Sequence, residues 1–184
     1  MTTGPAPLKR EKFKDLTKAQ AARLAGAIWI YGSIDIKREK ARTKSQEKKY
    51  YYYPRIALSM PIPLSLDYVN DTGGNAYAGE DGYYSLIIDE PELVKKRLKE
   101  ILPFMSGEEA KQIEIALEIL RIKRSKDLRP TDKQQKLDEL YKQWLESHKR
   151  LKKWIKEFKA KCEKKPKERV PRKIWTKAYA WEDC

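Results

Sequence analysis

Residues 24 to 34, Leu24-Ala25-Gly26-Ala27-Ile28-Trp29-Ile30-Tyr31-Gly32-Ser33-Ile34, constrain the fold of this chain more than any other stretch. Just upstream, Thr17-Lys18-Ala19-Gln20 is a capping box, with Thr at the N-cap and Gln three residues on, so a helix starts there. It runs through Ala21, Ala22, Ala25 and Gly26 to about Tyr31, where Gly32 ends it. From Gly32 the period switches to two. Ile34 and Ile36 point to one side of a strand, and Ser33, Asp35 and Lys37 to the other. On the helix, Ala22 and Gly26 lie four apart, as do Ala21 and Ala25, and they line adjacent strips with little side-chain bulk. Another helix can approach such a surface closely.

The rest of the first two thirds alternates in the same manner. Residues 38 to 49 are polar, with Arg38, Lys40, Arg42, Lys44, Lys48 and Lys49, and form a loop or hairpin tip. A second strand follows at 51 to 60, with Ile56 and Leu58 on one face and Arg55, Ala57 and Ser59 on the other. Pro61 and Pro63 break it, and Pro63 suits the first turn of a short helix through Val69. Gly73-Gly74 is a turn, and strands at 75 to 78 and 83 to 88 are joined by Gly79-Glu80-Asp81-Gly82, a hairpin signal. Glu90-Pro91 opens a helix with Leu93, Val94, Leu98 and Ile101 on its apolar face, stopping at Pro103. Ser106-Gly107-Glu108-Glu109 is a second capping box, whose helix carries Ile113, Ala116, Leu117 and Leu120 to about Arg124. The class is α+β, with helices on one face of a four-stranded antiparallel sheet and the other face open.

The run at 24 to 34 resembles the signature of the LAGLIDADG homing endonucleases with its acidic half erased. That motif is an apolar helix of small residues ending in an acid, then Gly, Ser and a β-strand. The leading Leu-Ala-Gly, the Ile and the trailing Gly-Ser-Ile are kept, and Trp29 and Tyr31 stand where the two acids would be. Pro54-Arg55-Ile56 with Ser59 resembles the family's second strand, and residues 98 to 105 followed by an acidic amphipathic helix resemble its C-terminal half. The resemblance covers roughly residues 16 to 124 and implies the family's αββαββα layout. It also implies a homodimer, with Ala22, Ala25 and Gly26 at a two-fold helix seam; the alternatives are that this strip packs inside one subunit or that the added C-terminal helix caps the seam.

In the family, the last acid of the motif binds a divalent metal beside the scissile phosphates. Hard cations such as Mg²⁺ want carboxylate oxygen, and a metal-activated water then attacks phosphorus. Tyr31 is a poor substitute, since a phenol ionises near pH 10, and Trp29 offers no oxygen. Asp35 is a weak stand-in, because two strand steps move a ligand by about 6 to 7 Å. The expectation is therefore no catalytic residue, no metal and no cofactor. Mg²⁺ enters only under the alternative, an active homing endonuclease with a displaced ligand or an intact partner chain. The resemblance implies that the family's DNA-binding half is intact: carried over by strand parity, the open face would offer Ser33, Asp35, Lys37, Arg55, Ala57 and Ser59, extended by Asn75, Tyr77, Tyr83 and Ser85. Arg and Lys can contact guanine, and Asn can contact adenine.

Beyond Pro130 the character changes. Thr131 to Gln134 is a third capping box, and the helix after it places Leu137, Trp144, Leu151 and Phe158 seven residues apart, with Leu140, Tyr141, Leu145, Trp154 and Ile155 widening the stripe. Its bulky aromatics favour packing on its own domain over a coiled-coil seam. His148, the one histidine, falls on this stripe as a packed or half-buried imidazole, and Cys162 and Cys184 have no ligand-like spacing, so a zinc site is not expected. From 149 to 177 there are fourteen Lys/Arg against three Glu, so most of the net charge of +14 sits in one block. An evenly solvated, highly charged surface would not cluster its cations this way, whereas a polyanion-binding tail would. Lys149, Arg150, Lys152, Lys153, Lys156, Arg172 and Lys173 are its candidate nucleic-acid contacts, and Trp175, Tyr179 and Trp181 suit stacking on bases or docking on the domain.

The expected organisation is a loose basic arm at 1 to 15, the nucleic-acid-binding domain at 16 to 128, and the amphipathic helix with its basic aromatic tail at 129 to 184. The partner is nucleic acid, either DNA or structured RNA. An RNA-binding maturase or a structural component of a ribonucleoprotein is the further alternative. No apolar stretch approaches the length of a membrane span and no secretory signal is visible, so the cytoplasm or an organelle matrix is expected.

Overall fold

The computed structural model describes residues 14–41, 49–61, 64, 66–79 and 82–164, with backbone alone for 66 and 158–164. Its elements are α1 (Lys18–Tyr31), β1 (Gly32–Lys40), β2 (Tyr50–Met60), α2 (Leu66–Thr72), β3 (Asn75–Ala78), β4 (Tyr84–Ile88), α3 (Pro91–Ile101), a 3₁₀ turn (Leu102–Phe104), α4 (Gly107–Arg124) and α5 (Pro130–Lys164). The four strands form one antiparallel sheet in the order β1-β2-β4-β3. This is the α+β layout read from the sequence.

Local chemistry explains most boundaries. The box at Thr17 closes in both directions, Gln20 N–H donating to Thr17 Oγ1 at 3.2 Å and Thr17 N–H to Gln20 Oε1 at 2.8 Å. Gly32 ends α1 for a reason other than the left-handed cap expected of it, because its φ of −138° is extended backbone. A Cβ there would stand 2.3 Å from Leu58 Cδ2 and 2.6 Å from the Ala57 carbonyl oxygen, so glycine is required by the close passage of β2. Pro54 sits inside β2 opposite Ile36, before β2 gains β4 as its second neighbour at Ile56, where a missing N–H is tolerated.

Several expected boundaries move. β1 continues through Arg38 to Lys40, and Ala41 N–H still donates across to the Lys49 carbonyl at 2.8 Å, so residues 38–41 and 49 of the expected 38–49 loop belong to the hairpin ladder. α2 starts at Leu66 rather than near Pro63 and ends at Thr72 rather than Val69. Ser106 is the N-cap of α4, but its side chain makes no capping bond, and Gly107 follows at φ +62°. α5 starts at Pro130, which leaves Thr131 inside the first turn while Gln134 Nε2 donates to Asp138 Oδ1 at 2.9 Å, so the third capping box does not form.

The inner sheet face is covered along its length. Ile34, Ile56, Leu58, Leu86 and Ile88 meet Leu24, Ala25 and Ile28 of α1, Leu93, Val94, Leu98 and Ile101 of α3, and Ile113, Ala116 and Leu120 of α4. Each fully buried aliphatic contributes about 1.5–3 kcal/mol. A second cluster lies under the outer half of the β1–β2 hairpin, where Ile36 and Tyr52 pack with Ile115, Ile119 and Ile122 of α4 and Leu137 and Trp144 of α5. Arg97 is 1% exposed and holds α3 to its surroundings by donating to the Thr72, Asp71 and Lys14 carbonyls and to Glu100.

Compact packing passes the 128/129 boundary expected from the sequence and ends at Arg150. Trp144 Nε1 donates to the Ile34 carbonyl at 3.2 Å, and Tyr52 Oη to Asp138. Tyr52, Tyr141, Trp144 and His148 form a run of ring contacts with centroid steps of 5.0, 5.7 and 4.9 Å, the first tilted and the next two stacked. The second unit begins at Leu151 and is described through the helical residues to Lys164, with Trp154 and Ile155 exposed.

Candidate nucleic-acid interface

Because successive strand side chains alternate, the register fixes what the uncovered sheet face presents. Ser33 lies opposite Ala57, Asp35 opposite Arg55, Lys37 opposite Tyr53 and Glu39 opposite Tyr51. Across β4 the rows continue from Ala57 to Ile87 and Asn75, and from Ser59 to Ser85 and Tyr77. Ser33, Asp35, Lys37, Arg55, Ser59, Asn75, Tyr77 and Ser85 thus share one surface, and Tyr83 precedes β4 with the same parity. Tyr51, Tyr53, Glu39 and Ile87 join them and were missed; carrying the alternation beyond Lys37, back before Arg55 and on past Ser85 would have found them.

The charges on this face are paired. Arg55 donates to Asp35 Oδ2 through Nε at 2.9 Å and Nη2 at 2.6 Å, and Lys37 Nζ meets Glu39 Oε1 at 2.6 Å. Tyr51 and Tyr53 are tilted neighbours with centroids 6.4 Å apart. Lys123 of α4 sits 4.2 Å over the Tyr53 ring and donates to the Tyr52 carbonyl at 2.8 Å; burial pushes its ammonium pKa down. At the hairpin's outer half the Arg38 guanidinium lies 3.6 Å over Tyr50 and 5.5 Å from Tyr141. Hydroxyls, aromatics and paired charges therefore make up the surface.

Where α1 runs into β1, Tyr31, Gly32, Ser33, Ala57, Leu58, Ser59, Ser85 and Ile87 line a shallow depression. Its polar groups are a phenol and three serine hydroxyls, with no carboxylate. Asp35, two steps along β1, already accepts two hydrogen bonds from Arg55. Among the described residues no three His, Cys, Asp or Glu side chains converge. This donor set does not fit a hard divalent cation, which takes carboxylate oxygens.

The small residues of α1 divide between two surroundings. Ala25 is buried in the subunit's own core, while Ala22 and Gly26 are exposed and a Cβ on Gly26 would meet nothing within 4 Å. Beside them Trp29 is 62% and Ile30 64% exposed. Ala22, Ala25, Gly26 and Trp29 border a groove along α1 with Phe104, Met105, Ser106 and Glu109. On α5, Lys149, Arg150, Lys152, Lys153 and Lys156 are exposed, with Arg150 3.2 Å from Glu108 and Lys153 3.9 Å from Glu157. Arg172, Lys173 and the tail aromatics lie outside the described residues, as do Arg42, Lys44, Lys48 and the arm at 1 to 13. No helix of the described residues is long and apolar enough to cross a membrane.

No protein-family profile matches the chain, and no curated protein matches it by sequence. Its fold does match solved structures. The archaeal intron-encoded homing endonuclease I-Vdi141I, complexed with DNA, gives a TM-score of 0.57 at 15% identity over 70% of this chain and 84% of that one. The homing endonuclease I-TnaI gives 0.52 at 17% identity, over 78% and 99%. The LAGLIDADG homing endonuclease I-SmaMI, bound to cleaved DNA, gives 0.51 at 14% identity over 71% of this chain and only 44% of that longer one. At such identities the likeness is one of fold.

Proposed function

From the LAGLIDADG homing-endonuclease fold, which this chain has, we propose that it binds nucleic acid, duplex DNA first of all, across the open sheet face without cutting it. The observation that carries this reading is the uncovered face itself, on which β1, β2, β4 and β3 present Ser33, Arg55, Ser59, Ser85 and Asn75 in register and which ends in Tyr31 instead of an acid. Side chains in such rows reach base edges in a major groove wide enough for a β-ribbon. The paired charges of the face give it little general pull on phosphates. That part falls to the cations of Lys149, Arg150, Lys152, Lys153 and Lys156 and of the tail with Arg172 and Lys173.

Two copies meet through the exposed strip of α1. Ala22 and Gly26 leave room for a second helix axis, and Trp29, Ile30 and Phe104 supply apolar area beside it. Single-chain saddles would then be joined into one longer surface. Gly26→Leu is expected to convert the dimer to monomer in analytical ultracentrifugation with the fold intact; a wild-type monomer, or a variant dimer, would remove the seam.

The test of the whole reading is selection of ligands from randomised duplex DNA and hairpin RNA, followed by incubation of the recovered ligand with Mg²⁺. Retention of a discrete duplex that stays uncut is the expected result. Cut product would replace the reading with an active endonuclease using a displaced ligand. Enrichment of RNA alone would move the chain to a maturase or ribonucleoprotein role.

A further inference from the structure

Asp35 and Arg55 stand directly opposite each other in the β1–β2 ladder, on the open face where β2 is about to gain β4 as its second neighbour. The guanidinium turns its Nε–Nη2 side to one carboxylate oxygen, at 2.9 and 2.6 Å, and the two side chains are 29% and 34% exposed. Ala57, the next residue of the same face, adds no bulk beyond Cβ on that flank. We infer that Asp35 is a positioning residue that holds Arg55 for bidentate contact with a guanine in the major groove, an inference that rests on the duplex-DNA reading above.

Donor arithmetic supports this assignment. Arginine carries five N–H donors in a rigid planar fork, and this pair uses one from Nε and one from Nη2. Both Nη1 hydrogens and the second Nη2 hydrogen are left over from the pair. They define the end-on edge of the fork, whose geometry matches the O6 and N7 acceptors of guanine. A free arginine on an open sheet would sample many rotamers and lose that freedom on binding. The bond to Asp35 fixes the plane of the fork in advance, so less is lost when DNA arrives. The carboxylate also keeps the pair near neutral, so Arg55 acts as a base reader rather than as a general phosphate anchor.

The bland competitor is a cross-strand ion pair with no part in recognition. Half-exposed pairs contribute little to stability, so the two differ in specificity rather than in melting temperature. The experiment selects sites from randomised duplex DNA with wild type, Arg55→Ala, Arg55→Lys, Asp35→Ala and the double variant, and measures the Kd of each for the consensus and for single-base substitutions. Wild type should require guanine at one position per half-site. Arg55→Ala and Arg55→Lys should both lower that discrimination by about ten- to a hundredfold, with other positions unchanged. Asp35→Ala should relax the same position alone, and the double variant should match Arg55→Ala, because Asp35 works through Arg55. Asp35→Glu, which keeps the carboxylate, should restore part of the preference.

Uniform weakening across all sequences by Asp35→Ala, effects of the two residues at different positions, or additive losses in the double variant would each overturn the inference while leaving DNA binding in place. A wild-type protein that enriches no duplex would overturn the DNA reading itself, and the inference with it.

Discussion

Two glycines on either side of Tyr31 show how one residue type answers different demands. Gly26 sits in the middle of α1 with open space where a Cβ would go, whereas Gly32 sits against the Ala57 carbonyl and the Leu58 side chain. In the isolated subunit Gly26→Ala should stabilise the fold by about 0.5–1 kcal/mol through helix propensity, and Gly32→Ala should destabilise it by about 1–3 kcal/mol through overpacking. Urea midpoints of the two variants check both signs. The sequence showed that a glycine follows the helix, but not which force needs it there, because β2 approaches from a segment some 25 residues later. Arg97 was hidden for the same reason. It stands between apolar neighbours on α3, and nothing in its local pattern reveals that carbonyls of Asp71, Thr72 and Lys14 surround it. Arg97→Met should cost about 2–4 kcal/mol, since several acceptors lose a charged donor together.

Among elements, the first half of α5 packs with the compact unit that ends at Arg150, past the 128/129 division expected from the sequence. The heptad of Leu137 and Trp144 was legible, and so was a preference for packing on its own domain. What it would pack against was not, because the cavity is built by Ile36, Tyr52 and three isoleucines of α4. The open face was better read: parity alone put Ser33, Asp35, Lys37, Arg55 and Ser59 together, and it stopped short where a polar run disguised the end of β1 and at the apolar Ile87 of β4. Ending the chain after residue 128 should therefore expose that cluster and lower the melting temperature sharply, whereas ending it after Arg150 should leave the melt close to that of the full chain.

Two buried phenols carry a pH dependence, Tyr52 at this joint and Tyr68 of α2 in the main core. Burial, then the bond to Asp138, pushes the Tyr52 phenol above its ordinary value, and burial holds Tyr68 at about 12. A tyrosine in the unfolded chain ionises near 10. Raised folded values mean that the neutral phenols contribute fully below about pH 10, and that this contribution is lost as pH rises toward 12. Stability measured from pH 9 to 12 should fall less steeply in Tyr68→Phe than in wild type; parallel curves would contradict the assignment.

For the whole molecule, fold and charge divide the labour. The sheet offers shaped, nearly neutral chemistry, and the net charge of +14 is concentrated toward the C-terminal end. Removing residues 151–184 should weaken nucleic-acid binding and flatten the slope of log K against log salt, because each lost phosphate contact reduces that slope by about 0.9. Sequence preference should survive the truncation. An unchanged slope would place the cations elsewhere than on phosphate.

Binding across the open face is tested most directly by one pair of substitutions of equal charge. Ser59→Glu puts an acid on that face, and Gln143→Glu puts one at an exposed position of α5. Affinity for the selected duplex, measured by fluorescence anisotropy at fixed salt, should fall by roughly tenfold or more for Ser59→Glu through repulsion of the phosphates, and should stay within about twofold for Gln143→Glu. Equal affinities for the two variants would mean that nucleic acid does not lie on the sheet.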